Sequence, residues 1–407
     1  MKKFTLALIA LIALLVLAGC GGASPTPAAA TQAPAAATTA PTEAAATQAA
    51  GATEASTATE AATAAGTEAA TPTEAATEVA EPPQQGDNIL NVYNWSTYIA
   101  PDLVPKFEKM YNVKVNYDLF GSNDELLGKI QAGNPGYDVI VPSDYTVTIM
   151  IKNDLLETLD KSQVPNFKNI DPQFLNPPYD PNNDHCVPYQ WGTSGLGYNE
   201  KKIGHEIDSY SVMFNGQYSG RISWQDEARQ TLGSTLIYLG LDPNTTNPDD
   251  LKKATDLLLK TKKDVKVFAP DTGQDLLVQG DVDIALEYSG DIFQVAQQDP
   301  DIHYVIPKEG AIIWTDNLCI PKFAPHPDLA LKFINFILDA QNGADLSNYT
   351  QYGTPNAASL PLIDPKLRNN PGIYPSDEVK KHLYFIKSVG DADTLFQDAW
   401  NTLGIGQ

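Results

Sequence analysis

One compositional break decides where this chain can fold. Residues 21–86 contain no leucine, isoleucine, aromatic residue, lysine or arginine, and Thr-Glu-Ala-Ala recurs there at positions 42, 59, 67 and 73. Such a segment cannot bury enough apolar surface to offset the entropy of ordering it. Its prolines and threonines also oppose the transient helix that its alanines would permit. Residues 20–86 are therefore predicted to be a disordered tether. Any core must come from the globular sequence that begins at residue 87 and continues to 407.

The tether follows a delivery signal. Lys2 and Lys3 precede an apolar run at 6–17, which ends in Leu17-Ala18-Gly19-Cys20. A charged start, a short apolar stretch and small residues describe a secretory signal, too short for a stable membrane span. Leu-Ala-Gly-Cys resembles the bacterial lipobox, in which the signal is cut before the cysteine and the thiol is lipidated. Residues 1–19 are thus expected to be a lipoprotein signal peptide, with Cys20 as anchor. That places the chain outside the cytoplasm, on the membrane, in a periplasm or on an outer face. The 407 residues leave room for two domains after the tether. A formal net charge of -23 argues against nucleic acid as a partner and favours cations.

From residue 88 the hydrophobic pattern alternates between strand and helix. Residues 88–93 (NILNVY) and 113–117 read as strands, and 102–111 as a helix with Leu103, Phe107 and Met110 on one face. Ser122 with Glu125 matches a capping box opening a helix. Residues 137–141 read as another strand, and 251–259, 284–288 and 329–338 continue the alternation. Pro327 suits a helix start and Gly343 a helix end. The pattern implies an α/β sheet with crossover connections.

The stretch AIIWTDNLCIP at 311–321 is the sharpest functional signal. It reads as a buried strand, yet Trp314 and Asp316 sit two apart and so share one face. A carboxylate beside an indole on an apolar strand is costly to bury without a partner.

Five motifs in order identify that partner. NVYNWSTYIAPDL at 91–103, YDVIVPSDY at 137–145, PYQWGTSGLGYN at 188–199, IIWTDNLCIP at 312–321 and QYGTPN at 351–356 together resemble the spermidine/putrescine-binding proteins of ABC transporters. The resemblance implies a type II-like periplasmic-binding-protein fold: two α/β lobes, two crossing hinge strands and a ligand cleft between the lobes. Lobe 1 is expected at 87–190 plus 317–360, and lobe 2 at 191–316 plus 361–407. It implies polyamine capture and delivery to ABC permease subunits, by a monomer without cofactor. The ligand residues it implies are Trp95, Ser96, Tyr98, Ser143, Tyr145, Glu227, Tyr288, Trp314, Asp316 and Tyr352. A polyamine is a row of ammonium groups separated by methylenes, so carboxylates and aromatic faces together suit it. Thr97 and Gln230 stand where spermidine-binding relatives carry acids, and Ile386 where they carry a glutamine. The carried-over layout also puts Cys186 and Cys319 near each other on the hinge strands, a candidate disulfide in an oxidising compartment.

Other classes fare worse. The histidines at 185, 205, 303, 326 and 382 lack metal-ligand spacing, and His205-Glu206 lacks the second histidine of a zinc protease. Asp180 to Asp184 lacks the glycine and distal glutamate of a calcium loop. Neither a nucleophile elbow nor a phosphate loop is present. No enzyme activity and no metal site are expected. A binding protein of this fold for ferric iron or a sugar, or a polyamine sensor, remains the alternative.

Overall fold

A computed structural model describes residues 86 and 88–405. The signal peptide, Cys20 and the tether lie outside the described residues. Strand β1 (Ile89–Trp95), helix α1 (Leu103–Tyr111), β2 (Lys114–Phe120), α2 (Asn123–Gln131), β3 (Val139–Ile140) and α3 (Asp144–Lys152) come first. A long strand β4 (Cys186–Asn199) and the short α4 (Glu200–Ile203) follow. Next come β5 (Ile222–Gln225), α5 (Ala228–Tyr238), α6 (Pro248–Thr261), β6 (Val265–Ala269), α7 (Gly273–Gln279), β7 (Ile284–Tyr288), α8 (Ser289–Ala296) and β8 (Ile302–Val305). Strand β9 (Ala311–Cys319) leads to α9 (Pro327–Ile337), α10 (Ala340–Thr350), α11 (Pro365–Arg368), α12 (Asp377–Lys380), β10 (Leu383–Phe385) and α13 (Asp393–Leu403).

The strands run in the order β2-β1-β3-β9-β4-β7-β5-β6, with β10 beside β9 and β8 beside β4. Two parallel α/β groups, β1–β3 and β5–β7, thus flank an antiparallel central pair, β4 and β9. This pair is the hinge: Gly192 lies opposite Trp314, Gln190 opposite Asp316, and Cys186 opposite Cys319. Cys186 and Cys319 form a disulfide, their Cα atoms 4.5 Å apart.

Local chemistry explains most element boundaries. Ser122 accepts a hydrogen bond from the Glu125 amide at 3.1 Å, as a capping box requires. The reciprocal bond is redirected: Glu125 accepts instead from the Gly121 amide at 2.9 Å and from the Tyr93 hydroxyl. Pro327 opens α9, as expected, but Gly343 does not end it. That helix stops at Ile337, and Gly343 lies buried inside α10, where an added Cβ would sit 2.4 Å from Ser359 Oγ. Close approach, not helix termination, selects glycine there. Met110 also departs from expectation: it is 59% exposed, while Phe107 packs on Phe333 and Phe336. Among the described residues no helix is long and apolar enough to cross a membrane.

Candidate functional site

The site grows from the carboxyl ends of the parallel strands, where open α/β sheets place their ligands. Trp95 ends β1, and Ser96, Thr97 and Tyr98 occupy the turn beyond it. Ser143 precedes α3, Glu227 precedes α5, Asp271 follows β6, and Tyr288 ends β7. Trp314 and Asp316 project from the hinge strand β9, and Tyr352 follows α10. Each helix that starts here offers unpaired amide dipoles, which favours acids at these positions.

The aromatic side chains form a box. Trp95 meets Tyr288 with ring centroids 5.9 Å apart, and Tyr288 meets Trp314 edge-on at 5.6 Å. Trp314 meets Tyr352 at 5.3 Å, and Tyr352 meets Tyr98 at 5.0 Å. The two indole nitrogens point outward: that of Trp95 donates to the Val141 carbonyl at 3.0 Å and that of Trp314 to Ser194 Oγ at 3.2 Å. Gly192 makes this geometry possible. A Cβ at that position would lie 2.8 Å from the Trp314 ring.

Carboxylates stand at both ends of the box. At one end Asp316, 4% exposed, accepts from Ser143 Oγ at 2.6 Å. The Tyr98 hydroxyl also bears on Asp316. At the other end Asp291 accepts from Thr97 Oγ1 at 2.5 Å and from the Tyr352 hydroxyl at 2.7 Å. Asp271 accepts from Ser96 Oγ at 2.6 Å and from the Ser96 amide at 3.1 Å. Glu287, behind them, accepts from the amides of Gly273 and Tyr288, each at 2.9 Å. Oxygens of Asp271, Glu287 and Asp291 lie within 4.8 Å of one another. Such a trio could accept an ammonium or a hard cation.

Burial raises the pKa of every one of these acids, because a low-dielectric site penalises the charged form. Asp316 and Glu227 are pushed up to about 7, Glu287 to about 8 and Asp291 to about 6. Asp271 is held well above the usual carboxylate range by burial and by the neighbouring charges of Asp291 and Glu287.

Trp95, Ser96, Tyr98, Ser143, Tyr288, Trp314, Asp316 and Tyr352 line the residual cavity of about 20 Å³, so sequence reasoning and structure place these residues together. Tyr145 and Glu227 stand outside it. Glu227 is sealed behind Tyr288, whose hydroxyl donates to it at 3.0 Å, and it also accepts from Tyr145 at 2.9 Å and Asn123 at 3.2 Å. Gln230, Asp271 and Asp291 join the lining instead, and the side-chain oxygen of Gln230 has no hydrogen-bond partner. Asp291 could have been found from its spacing, three residues after Tyr288 in the first turn of α8. Asp271, in Pro270-Asp271-Thr272-Gly273, carries no signal beyond that of a turn. Ile386 packs towards Gly233 and Ile312 and does not line the box.

Known proteins resemble this chain over most of its length. The putrescine-binding periplasmic protein SpuD of Pseudomonas aeruginosa is 40% identical over 326 residues, covering 75% of this chain and 89% of its own. The putrescine-binding periplasmic protein PotF of Escherichia coli is 36% identical, covering 78% of this chain and 92% of its own. A putative spermidine/putrescine ABC transporter structure from Listeria monocytogenes superposes with a TM-score of 0.75 at 34% identity, over 79% of this chain and 100% of that one. The TpPotD lipoprotein of Treponema pallidum does so at 0.68 and 29% identity, over 77% and 99%. Residues 102–375 match the bacterial extracellular solute-binding protein family. With two α/β groups joined by a hinge pair, and an aromatic box lined by acids at their strand ends, this chain belongs to that family.

Proposed function

We propose that this chain captures polyamines, putrescine or spermidine, outside the cytoplasm and delivers them to ABC permease subunits. One observation carries the reading: acids at opposite ends of an aromatic box, Asp316 at one and Asp271 with Asp291 at the other. An ammonium at each end and methylenes along the rings would satisfy both. Lobe 1 is taken as 87–190 plus 317–360 and lobe 2 as 191–316 plus 361–407. The flanking of the hinge pair by β1–β3 and β5–β7 supports that division, as does the docking of Lys262 on the Leu403 carbonyl. The box is nearly filled by its own side chains, so entry needs the lobes to separate. The protein acts as a monomer and carries no catalytic step.

Calorimetry of the full chain against putrescine, spermidine, spermine and a neutral sugar tests this. Saturable heats are expected for the first two and none for the sugar; the reverse ranking rejects a polyamine site. Asp291→Asn provides a sharper check, because that acid faces two others. The substitution should raise the thermal midpoint of the ligand-free protein by relieving like-charge crowding. It should also weaken putrescine binding about ten- to a hundredfold, the worth of one charged hydrogen bond. Unchanged affinity would remove Asp291 from the site.

Cys20 is proposed as the lipid anchor that keeps this capture at the membrane. Cys20→Ser should release the protein into the soluble fraction with its putrescine affinity intact. Retention of the variant on membranes would exclude the anchor.

A further inference from the structure

The hinge strands have a second face. On β9, Trp314 and Asp316 turn towards the aromatic box, while Ile313 and Thr315 turn the other way and floor a separate cavity of about 840 Å³. Cavities of this size, mostly apolar with a few placed polar groups, are the usual form of a small-molecule site. Its walls are aromatic: Phe174, Tyr179, Trp191 and Tyr374 line it, and Leu175 and Phe385 stand partly exposed among its lining residues.

A buried acid lies in this lining. Asp144 is 3% exposed. Its carboxylate accepts from the Tyr145 amide at 2.7 Å and, at a long 3.4 Å, from the Thr315 amide. A carboxylate has about four acceptor positions, so these two bonds leave capacity for a donor. The Arg229 guanidinium, whose charge bears on Asp144, pairs instead with Asp393 at 3.0 Å and donates to the Lys387 carbonyl at 3.0 Å. Lys380 and Lys387 also line the cavity but are exposed, so the cations meet solvent while the acid is buried. An acid beneath aromatic walls is the chemistry of a cation carrying a bulky apolar body. A linear polyamine lacks that body and would leave most of the walls unfilled.

We propose that the reverse face of the hinge is a second binding site, for an arylalkylamine whose ammonium pairs with Asp144 while its ring packs among Phe174, Tyr179 and Trp191.

Phenethylamine is the probe, titrated into the full chain already saturated with putrescine. Saturable binding that leaves putrescine in place is expected. Hydrocinnamate, of similar shape with the opposite charge, should not bind. Asp144→Asn should weaken phenethylamine about tenfold or more, as loss of a buried charged hydrogen bond predicts. Thr148→Trp, which fills the cavity from α3, should abolish phenethylamine binding while putrescine affinity stays unchanged. This second variant decides the matter if Asp144→Asn does not fold. A titration without putrescine reads the site independently of the polyamine box. The proposal is overturned by absent binding, by phenethylamine displaced in proportion to putrescine, by equal binding of hydrocinnamate, or by undiminished binding in a folded variant.

Discussion

Asp316→Asn is expected to weaken putrescine and spermidine binding by about two to four decades, equivalent to the 3–5 kcal/mol lost when one partner of a buried ion pair is removed. The carboxylate is 4% exposed, and one firm hydrogen bond, from Ser143 Oγ, holds it in the unliganded arrangement. A ligand ammonium would replace water by this acid and the surrounding ring faces. Without the charge, the ammonium is left buried and unpaired. The asparagine keeps the shape and one acceptor, so the loss should fall towards the smaller end. Trp314→Ala offers the contrast: its ring forms a wall against both Tyr288 and Tyr352. Its loss should weaken all polyamines together without altering their order. Isothermal titration of both variants separates charge from packing. Wild-type affinity in Asp316→Asn would make that acid structural and move the polyamine site elsewhere.

The residues of this site differ in how far the sequence revealed them, for physical reasons. Trp314 and Asp316 were legible because a period of two in an apolar run allows one reading of which face they share. The same alternation sets Ile313 and Thr315 on the other face, yet nothing in the sequence shows that a large cavity lies beneath them, because its walls come from segments far apart along the chain. The strand and helix order was legible from periodicity, and so were Ser122 as a cap and Pro327 as a helix start. Gly343 was misread because a glycine near a helix end and one chosen for close approach look identical in one dimension. Asp271 and Asp291 were hidden by ordinary roles, one in a turn and one in a helix's first turn, where acids are common for local reasons. Glu227 shows the reverse. Its motif position is right for an amine partner, but whether it opens into the box depends on a Tyr288 hydroxyl that comes from another strand.

Polyamine binding should tighten as pH rises from about 5.5 to about 8, with protons released on binding at the acid end of that range. Glu227, Asp316, Glu287 and Asp291 have folded-state pKa values raised to about 7, 7, 8 and 6, each chiefly by burial. An unfolded chain would release those protons near pH ~4. Between these limits the folded state holds more protons than the unfolded one, so the stability of the ligand-free protein falls as pH rises through that window. For Asp316 alone the cost above its folded pKa is on the order of 4 kcal/mol. Polyamine ammonium groups stay charged throughout, and they favour the ionised acids. Binding therefore pulls protons off at pH 6, few at pH 8.5, and stabilises the protein most where the empty site is most strained. Asp271, Glu287 and Asp291, with oxygens within 4.8 Å, should titrate as one group and not as three separate acids. Titration calorimetry at pH 6 in buffers of different ionisation enthalpy should show a buffer-dependent heat worth about one to two protons per putrescine. The thermal shift on adding putrescine should also be larger at pH 8 than at pH 5.5. A heat independent of buffer, together with an affinity flat across this range, would mean that the acids are already ionised in the empty box and that burial does not set their charge.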